Sequence, residues 1–284
     1  MKICFFLIIA FAFFSCSESK DTPPAQKEGT RTENKLIEPA IKSIIDSSGV
    51  AGSILIYDPQ KEVYYSNDFA WAEIGRLPAS TFKITNSIIA LESGAVENDS
   101  TVFKWDGKKR RFKIWEQDLI FRDAFRFSCV PCYQDVARRI GPKRMNEYLA
   151  KLRYGNMDVD SSNIDVFWLE GNSRISQFQQ IHFLKRFYNS QLPISERTEK
   201  TVKRMMVMDN NEDYILSGKT GWSIRGGHNN GWFVGFVEKG NQVFYFATNI
   251  EPAEQFDMKR FPKTRKEITY RALKKMDITG LAGK

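Results

Sequence analysis

The chain has 284 residues, of which 42% are hydrophobic and 13% aromatic. That excludes a disordered or fibrous chain and supports a sizeable core, in one large domain or two small ones. Basic residues outnumber acidic ones 42 to 34, for a net charge of +8. The charges are dispersed, the one tight basic run being "KKRRFK" at Lys108–Lys113. With no nucleic-acid motif beside it, that run reads as a solvated loop, and no nucleic-acid partner is expected.

The N-terminus reads as an export signal over residues 1–15. Lys2 is followed by an apolar run from Cys4 to Phe14, too short to span a bilayer, and then by small polar residues. The stretch "FFSC" resembles a bacterial lipoprotein signal, with Cys16 as the lipidated mature N-terminus; plain secretion is the alternative. Residues 16–35 are polar, charged and proline-bearing and read as a flexible tether, leaving 36–284 as a single domain.

Next comes a hairpin, "GSILIYDPQKEVYYSND", turning at Asp58-Pro59-Gln60. A helix is predicted from Ser80 to about Gly94. Residues 95–170 read as helices and loops. "ISQFQQIHFLKRFYN" and "SERTEKTVKRMMV" are two amphipathic helices, the second with Ser195 as N-cap. "YILSGKTG", "GWFVGFVEKG" and "NQVFYFATNI" are three strands with glycine-containing connections. A last helix runs from about Lys263 to Met276. Strands at both ends and helices between them predict a mixed α+β domain, whose sheet draws on distant parts of the chain around a largely helical insert.

Ser80 stands three residues before Lys83 in "LPASTFKITNSIIALE". Positions three apart share a helix face, so the amine can reach the hydroxyl. A serine needs a base to become a nucleophile. The chain's two histidines, His182 and His228, are poorly placed for that role: neither has a partner at metal-ligand spacing, and no G-x-S-x-G elbow is present. A lysine among apolar neighbours is pushed toward its neutral, basic form. Alone, S-x-x-K is a frequent chance pattern and Ser80 could be a mere N-cap. A second motif, "SGKTG" at Ser217–Gly221, lies well downstream; Gly221 would let a ligand approach the backbone. S-x-x-K followed by K-T-G is the signature of serine β-lactamases and penicillin-binding proteins. The pair "CVPC" at Cys129 and Cys132 looks like a redox motif, but its expected βαβ context is missing. Two small buried residues or a disulfide are expected instead.

"PASTFK", "SCVPCYQ", "YGN", "WLEG", "KTGW" and "GWFVG" occur in the order of the class D serine β-lactamases, and the chain resembles that family from about Val50 to Met276. The resemblance implies a β-lactamase/DD-transpeptidase-like fold, an antiparallel sheet flanked by helices with a mostly helical subdomain. It implies Ser80 as the acylated nucleophile and Lys83, carboxylated by CO2 or bicarbonate, as the base. Ser128 would relay a proton, with Lys219 supplying charge near it. Val130 and Trp168 would support the carbamate. Thr220 and Arg265 would hold the substrate carboxylate, with Gly221, Trp222, Tyr154 and Asn156 also lining the substrate site. The backbone N–H groups of Ser80 and Trp222 would form the oxyanion hole. No metal or organic cofactor is implied. The implied partner is a small β-lactam, the chain being a monomer or homodimer in the periplasm, soluble or lipid-anchored. A β-lactam sensor that acylates without turnover is the alternative. Two departures stand out: Cys129 replaces the commoner alanine of the S-x-V motif, and "SIRGGHNNGW" predicts an unusual loop bordering the cleft.

Overall fold

The computed structural model describes Met1 and residues 34–279; the signal, most of the tether and Cys16 lie outside them. In chain order the elements are β1 (Asn34–Ile37), α1 (Pro39–Asp46), β2 (Val50–Asp58), β3 (Val63–Ser66), α2 (Phe69–Glu73), α3 (Lys83–Glu92), β4 (Val102–Phe103) and β5 (Leu119–Ile120). They continue with α4 (Phe121–Arg126), α5 (Val130–Ile140), α6 (Pro142–Leu152), α7 (Gln177–Tyr188), α8 (Glu196–Met206), β6 (Val207–Asn210), β7 (Ile215–Arg225), β8 (His228–Lys239), β9 (Gln242–Pro252) and α9 (Phe261–Lys275).

Seven strands form one sheet in the order β1-β3-β2-β9-β8-β7-β6, so its two halves come from opposite ends of the chain. All pairings are antiparallel except β1 with β3. The central strands β8 and β9 are covered on both faces. This is why "WFVGFV" is a continuous apolar run instead of alternating with polar residues. One face packs against α1 and α9 through Ile41, Ile45, Ile268 and Leu273. The other packs against the helical body through Phe82, Ile88, Tyr133, Phe183 and Trp232. Helix α7 starts at a reciprocal cap, Ser176 with Gln179, and its Gln177 side chain reaches the carbonyl of Ser53 in the sheet at 3.0 Å.

The structure shifts several expected boundaries. Strand β1 begins at Asn34, inside the segment read as tether. Its four residues are all exposed, so no apolar alternation announces it. Val207 begins the edge strand β6 instead of ending the preceding helix. The segment "SIRGGHNNGW" is not a loop: β7 and β8 run to Arg225 and from His228, joined only by Gly226 and Gly227. Both glycines have positive φ (+55° and +81°), the requirement of a two-residue turn that follows the twist of the strands.

Candidate active site

Ser80 lies in a single 3-10 turn, Ala79–Phe82, and the regular helix α3 begins only at Lys83. The serine is no N-cap, since that turn carries no side-chain cap bond. Its Oγ accepts a hydrogen bond from Lys83 Nζ at 2.9 Å. The segment is pinned from behind by the Ala79 N–H, which donates to the Trp168 carbonyl at 2.8 Å. Ala79 itself has φ +51°, a conformation that costs a non-glycine residue about 1–3 kcal/mol.

Lys83 is completely buried, with the Tyr133 ring 5.1 Å from its nitrogen. No carboxylate is paired with it among the described residues. Burial alone therefore pulls its pKa from the ordinary 10.5 to about 7. That is the range in which an amine serves as a base at neutral pH.

The third and fourth groups arrive from other parts of the chain. Ser128 sits between α4 and α5 with φ +55°, a second left-handed non-glycine residue. Lys219, on β7, donates to Ser128 Oγ at 3.1 Å and to the Thr220 carbonyl at 3.1 Å. Its pKa lies well below the usual lysine range, through burial first and then the positive charges of Lys83 and Arg265. Arg265, from α9, is buried and donates through Nη1 to the Gly221 carbonyl and through Nε to the Pro262 carbonyl at 3.3 Å. Desolvation lowers its pKa to about 10. Three basic side chains, Lys83, Lys219 and Arg265, thus gather near the strand Lys219–Trp222.

Gly221 passes close to the nucleophile's segment. A Cβ there would lie 3.2 Å from the Ala79 Cβ, the Pro78 carbonyl oxygen and the Ser80 nitrogen. Strand β6 pairs with β7 only at Ile215–Ser217, so Gly218–Trp222 has no strand partner on that edge among the described residues. An extended ligand can lie along it. Trp222 points its ring to the other face, edge-on to Phe261 at 5.6 Å, and its indole nitrogen donates to Asn229 at 2.9 Å.

Trp168 is buried and stacked on Phe82 at 5.6 Å, and its indole N–H has no hydrogen-bond partner. Val130 opens α5 two residues after Ser128. Tyr154 and Asn156 are not brought to the nucleophile by any side-chain hydrogen bond. The Tyr154 ring packs in the core against Phe82 and Phe183, and burial pushes its hydroxyl pKa up. Asn156 is exposed and pairs through its backbone with Arg174. Cys129 and Cys132 are joined as a disulfide. Sequence reasoning overlooked Tyr133, whose hydroxyl bonds Ser87 on the helix of Lys83 at 2.7 Å; its only signal was an aromatic residue following the second cysteine. No group of three or more His, Cys, Asp or Glu side chains able to hold a metal occurs among the described residues.

Residues 52–274 match the family model described as the penicillin binding protein transpeptidase domain. The chain is 43% identical over 200 residues to Beta-lactamase OXA-48 of Klebsiella pneumoniae, covering 70% of this chain and 75% of that one. It is 42% identical over 208 residues to Beta-lactamase OXA-10 of Pseudomonas aeruginosa, covering 72% and 78%. Among solved structures, the class D β-lactamase YbXI from Nostoc matches with a TM-score of 0.80 at 41% identity, over 84% of this chain and 98% of that one. The class D β-lactamase from Sebaldella termitidis matches with a TM-score of 0.82 at 34% identity, over 87% and 100%. On its fold and on these relatives, the chain belongs to the class D serine β-lactamases.

Proposed function

We propose that this enzyme opens β-lactam rings through an acyl-enzyme on Ser80, with Lys83, carboxylated by CO2, as the general base. The observation that carries the reading is the fully buried Lys83 amine, held 2.9 Å from Ser80 Oγ with a pKa of about 7. A neutral amine can add CO2; a protonated one cannot. The buried, unpartnered indole N–H of Trp168 is the kind of donor that a buried anion satisfies, and Val130 supplies an apolar wall. These residues fit the group. When bound, it places an anionic base beside Ser80.

The remaining steps follow from the chain's own residues. Ser80 Oγ gives up its proton toward the Lys83 side chain and attacks the lactam carbonyl. The Ser80 and Trp222 backbone N–H groups receive the developing oxyanion. Ser128 passes a proton to the leaving nitrogen, and Lys219, 3.1 Å away, steadies the Ser128 oxygen during the transfer. Thr220 and Arg265 hold the substrate carboxylate, Arg265 using donors left over from its bonds to Gly221 and Pro262. Water, activated at Lys83, then releases the acyl group from Ser80. The leader points to export and, through Cys16, to lipid anchoring, which would place the activity where it protects the cell wall from β-lactams.

The test is turnover of a chromogenic cephalosporin with and without bicarbonate. Many turnovers per chain that fall when bicarbonate is removed are expected. A single stoichiometric burst would point instead to a sensor that stays acylated, and no reaction at all would overturn the reading.

A further inference from the structure

Ser128 holds a left-handed backbone conformation that its residue type does not favour, so its neighbours must impose it. Upstream, its N–H donates to the Phe125 carbonyl at 3.1 Å, which ties it to the end of α4. Downstream, the next residue is Cys129, whose N–H donates to the Ala124 carbonyl at 2.8 Å. Cys129 is also bonded through sulfur to Cys132, one turn into α5, and is the N-cap residue of that helix. Tyr133 follows directly. Its hydroxyl bonds Ser87 Oγ at 2.7 Å, and Ser87 Oγ donates to the Lys83 carbonyl at 2.7 Å. A continuous path therefore leads from the Ser128 backbone, across one disulfide, to the helix that carries Lys83.

The two sulfurs differ in surroundings. Cys129 is 1% exposed and walled by core. Cys132 is half-buried, and both cysteines line a cavity of about 460 Å³ together with Trp105, Arg110, Trp115 and Gln134. A small thiol reaches this bond from the Cys132 side without entering the substrate cleft.

We propose that the Cys129–Cys132 disulfide is a positioning clamp for Ser128, and that its reduction by a small dithiol slows acylation. The proposal rests on the serine-hydrolase reading above. In the exchange, a thiolate of the dithiol bonds to Cys132 Sγ while the Cys129–Cys132 bond breaks, and Cys129 leaves as a thiolate that takes up a proton. The second thiol of the reductant then displaces Cys132. The products are two protein thiols and one reductant disulfide, a balanced two-electron transfer. The freed sulfurs must separate to van der Waals contact. The cross-link that closes the first turn of α5 onto its N-cap residue is then gone, and the Ser128 backbone, which adjoins that residue, relaxes with it. Ser128 Oγ then loses its 3.1 Å contact with Lys219 Nζ. The effect falls on one half-reaction. Ser128 serves the leaving nitrogen during acylation, whereas deacylation uses Ser80, Lys83 and water.

The full chain is assayed oxidised, after reduction with dithiothreitol, and after reoxidation, with thiol state read by alkylation and mass spectrometry. Pre-steady-state kinetics with a chromogenic cephalosporin separates the acylation rate, the burst amplitude and the deacylation rate. Reduction is expected to slow acylation roughly ten- to a hundredfold, as a misplacement of about 1 Å does. The active-site titre, read as the total acylated at long times with a slowly released β-lactam, and the deacylation rate stay constant, and reoxidation restores the acylation rate. Cys132→Ser shows the slow rate whatever the redox state, and so controls for thiols at Cys4 and Cys16. An unchanged acylation rate on reduction overturns the clamp. So does a loss of titre at constant rate, the mark of a merely unfolded fraction. A chain that acylates without turning over refutes the hydrolase reading alone, because its burst rate still reports on the clamp. A chain that never acylates overturns both.

Discussion

Lowering the pH should raise the concentration of dissolved CO2 needed for half-maximal turnover, by an amount that Lys83 sets. Only the free amine reacts with CO2. With a pKa of about 7, the neutral fraction of Lys83 is about 0.9 at pH 8 and about 0.1 at pH 6. Burial depresses the pKa of this cationic acid, so the reactive form is present above pH 7 and is lost as pH falls through it. Forming the carbamate releases one proton from the Lys83 nitrogen. With neutral Lys219 accepting it, no proton leaves the site, and half-saturating CO2 varies inversely with the neutral fraction, rising about tenfold from pH 8 to pH 6. A lysine at the ordinary value of 10.5 behaves differently. Its neutral fraction would be only about 0.3% at pH 8 and would change about a hundredfold over the same range. The assay is initial-rate hydrolysis of a chromogenic cephalosporin in CO2-depleted buffer, titrated with bicarbonate at each pH. The carbamate carbon is followed in parallel by 13C NMR. A hundredfold shift, or turnover indifferent to CO2, would refute the reasoning.

Trp168→Phe keeps the aromatic stack on Phe82 but removes the unpartnered indole N–H. It should lower CO2 affinity roughly ten- to a hundredfold, the worth of a hydrogen bond to a charged group, while changing the melting temperature little; the same titration reads both the affinity and its pH dependence. Lys83→Met should abolish turnover and, in CO2-free buffer, stabilise the fold at neutral pH. The drop in pKa from 10.5 to about 7 corresponds to about 5 kcal/mol, a cost fully present below pH 7 and gone above 10.5. Denaturant unfolding of the wild type at pH 6, 8 and 10 should therefore show stability rising with pH, and Lys83→Met should show a smaller rise, the part that buried Lys219 contributes.

Local motifs were the legible part of this protein. Ser80 and Lys83 are three residues apart, so helix geometry alone brings their side chains together. Ser128 and Lys219 are 91 residues apart, and only the crossing of β7 past the α4–α5 junction makes them neighbours. No periodicity reports such a contact, and the family resemblance supplied it. Conformation at special backbone positions was also hidden. Glycine and asparagine in "SIRGGHNNGW" are equally at home in a loop and a tight hairpin. The choice rests on β7 and β8 continuing to pair out to Arg225 and His228. Strand β6 was lost for a related reason: Met205, Met206, Val207 and Met208 are apolar in succession, a pattern that a helix end and a strand share. Asn156 keeps its position in "YGN", and the backbone bridge it makes to Arg174 is a pairing between distant segments that no local pattern reports.

The convergence of Lys83, Lys219 and Arg265 gives the empty cleft a particular character. Three basic groups share a buried space, and desolvation first, then the charges of the other two, holds Lys219 away from its protonated form. The resting site is electrostatically frustrated, and any anion that enters relieves it. On the proposed chemistry, the first relief comes from the enzyme's own base. Turning the Lys83 position from a potential cation into an anion removes a repulsion and adds an attraction, which draws a proton onto Lys219. The charge states of base, relay and substrate anchor are then set together, and capture of a one-carbon gas becomes the switch that polarises the whole cleft before an antibiotic arrives.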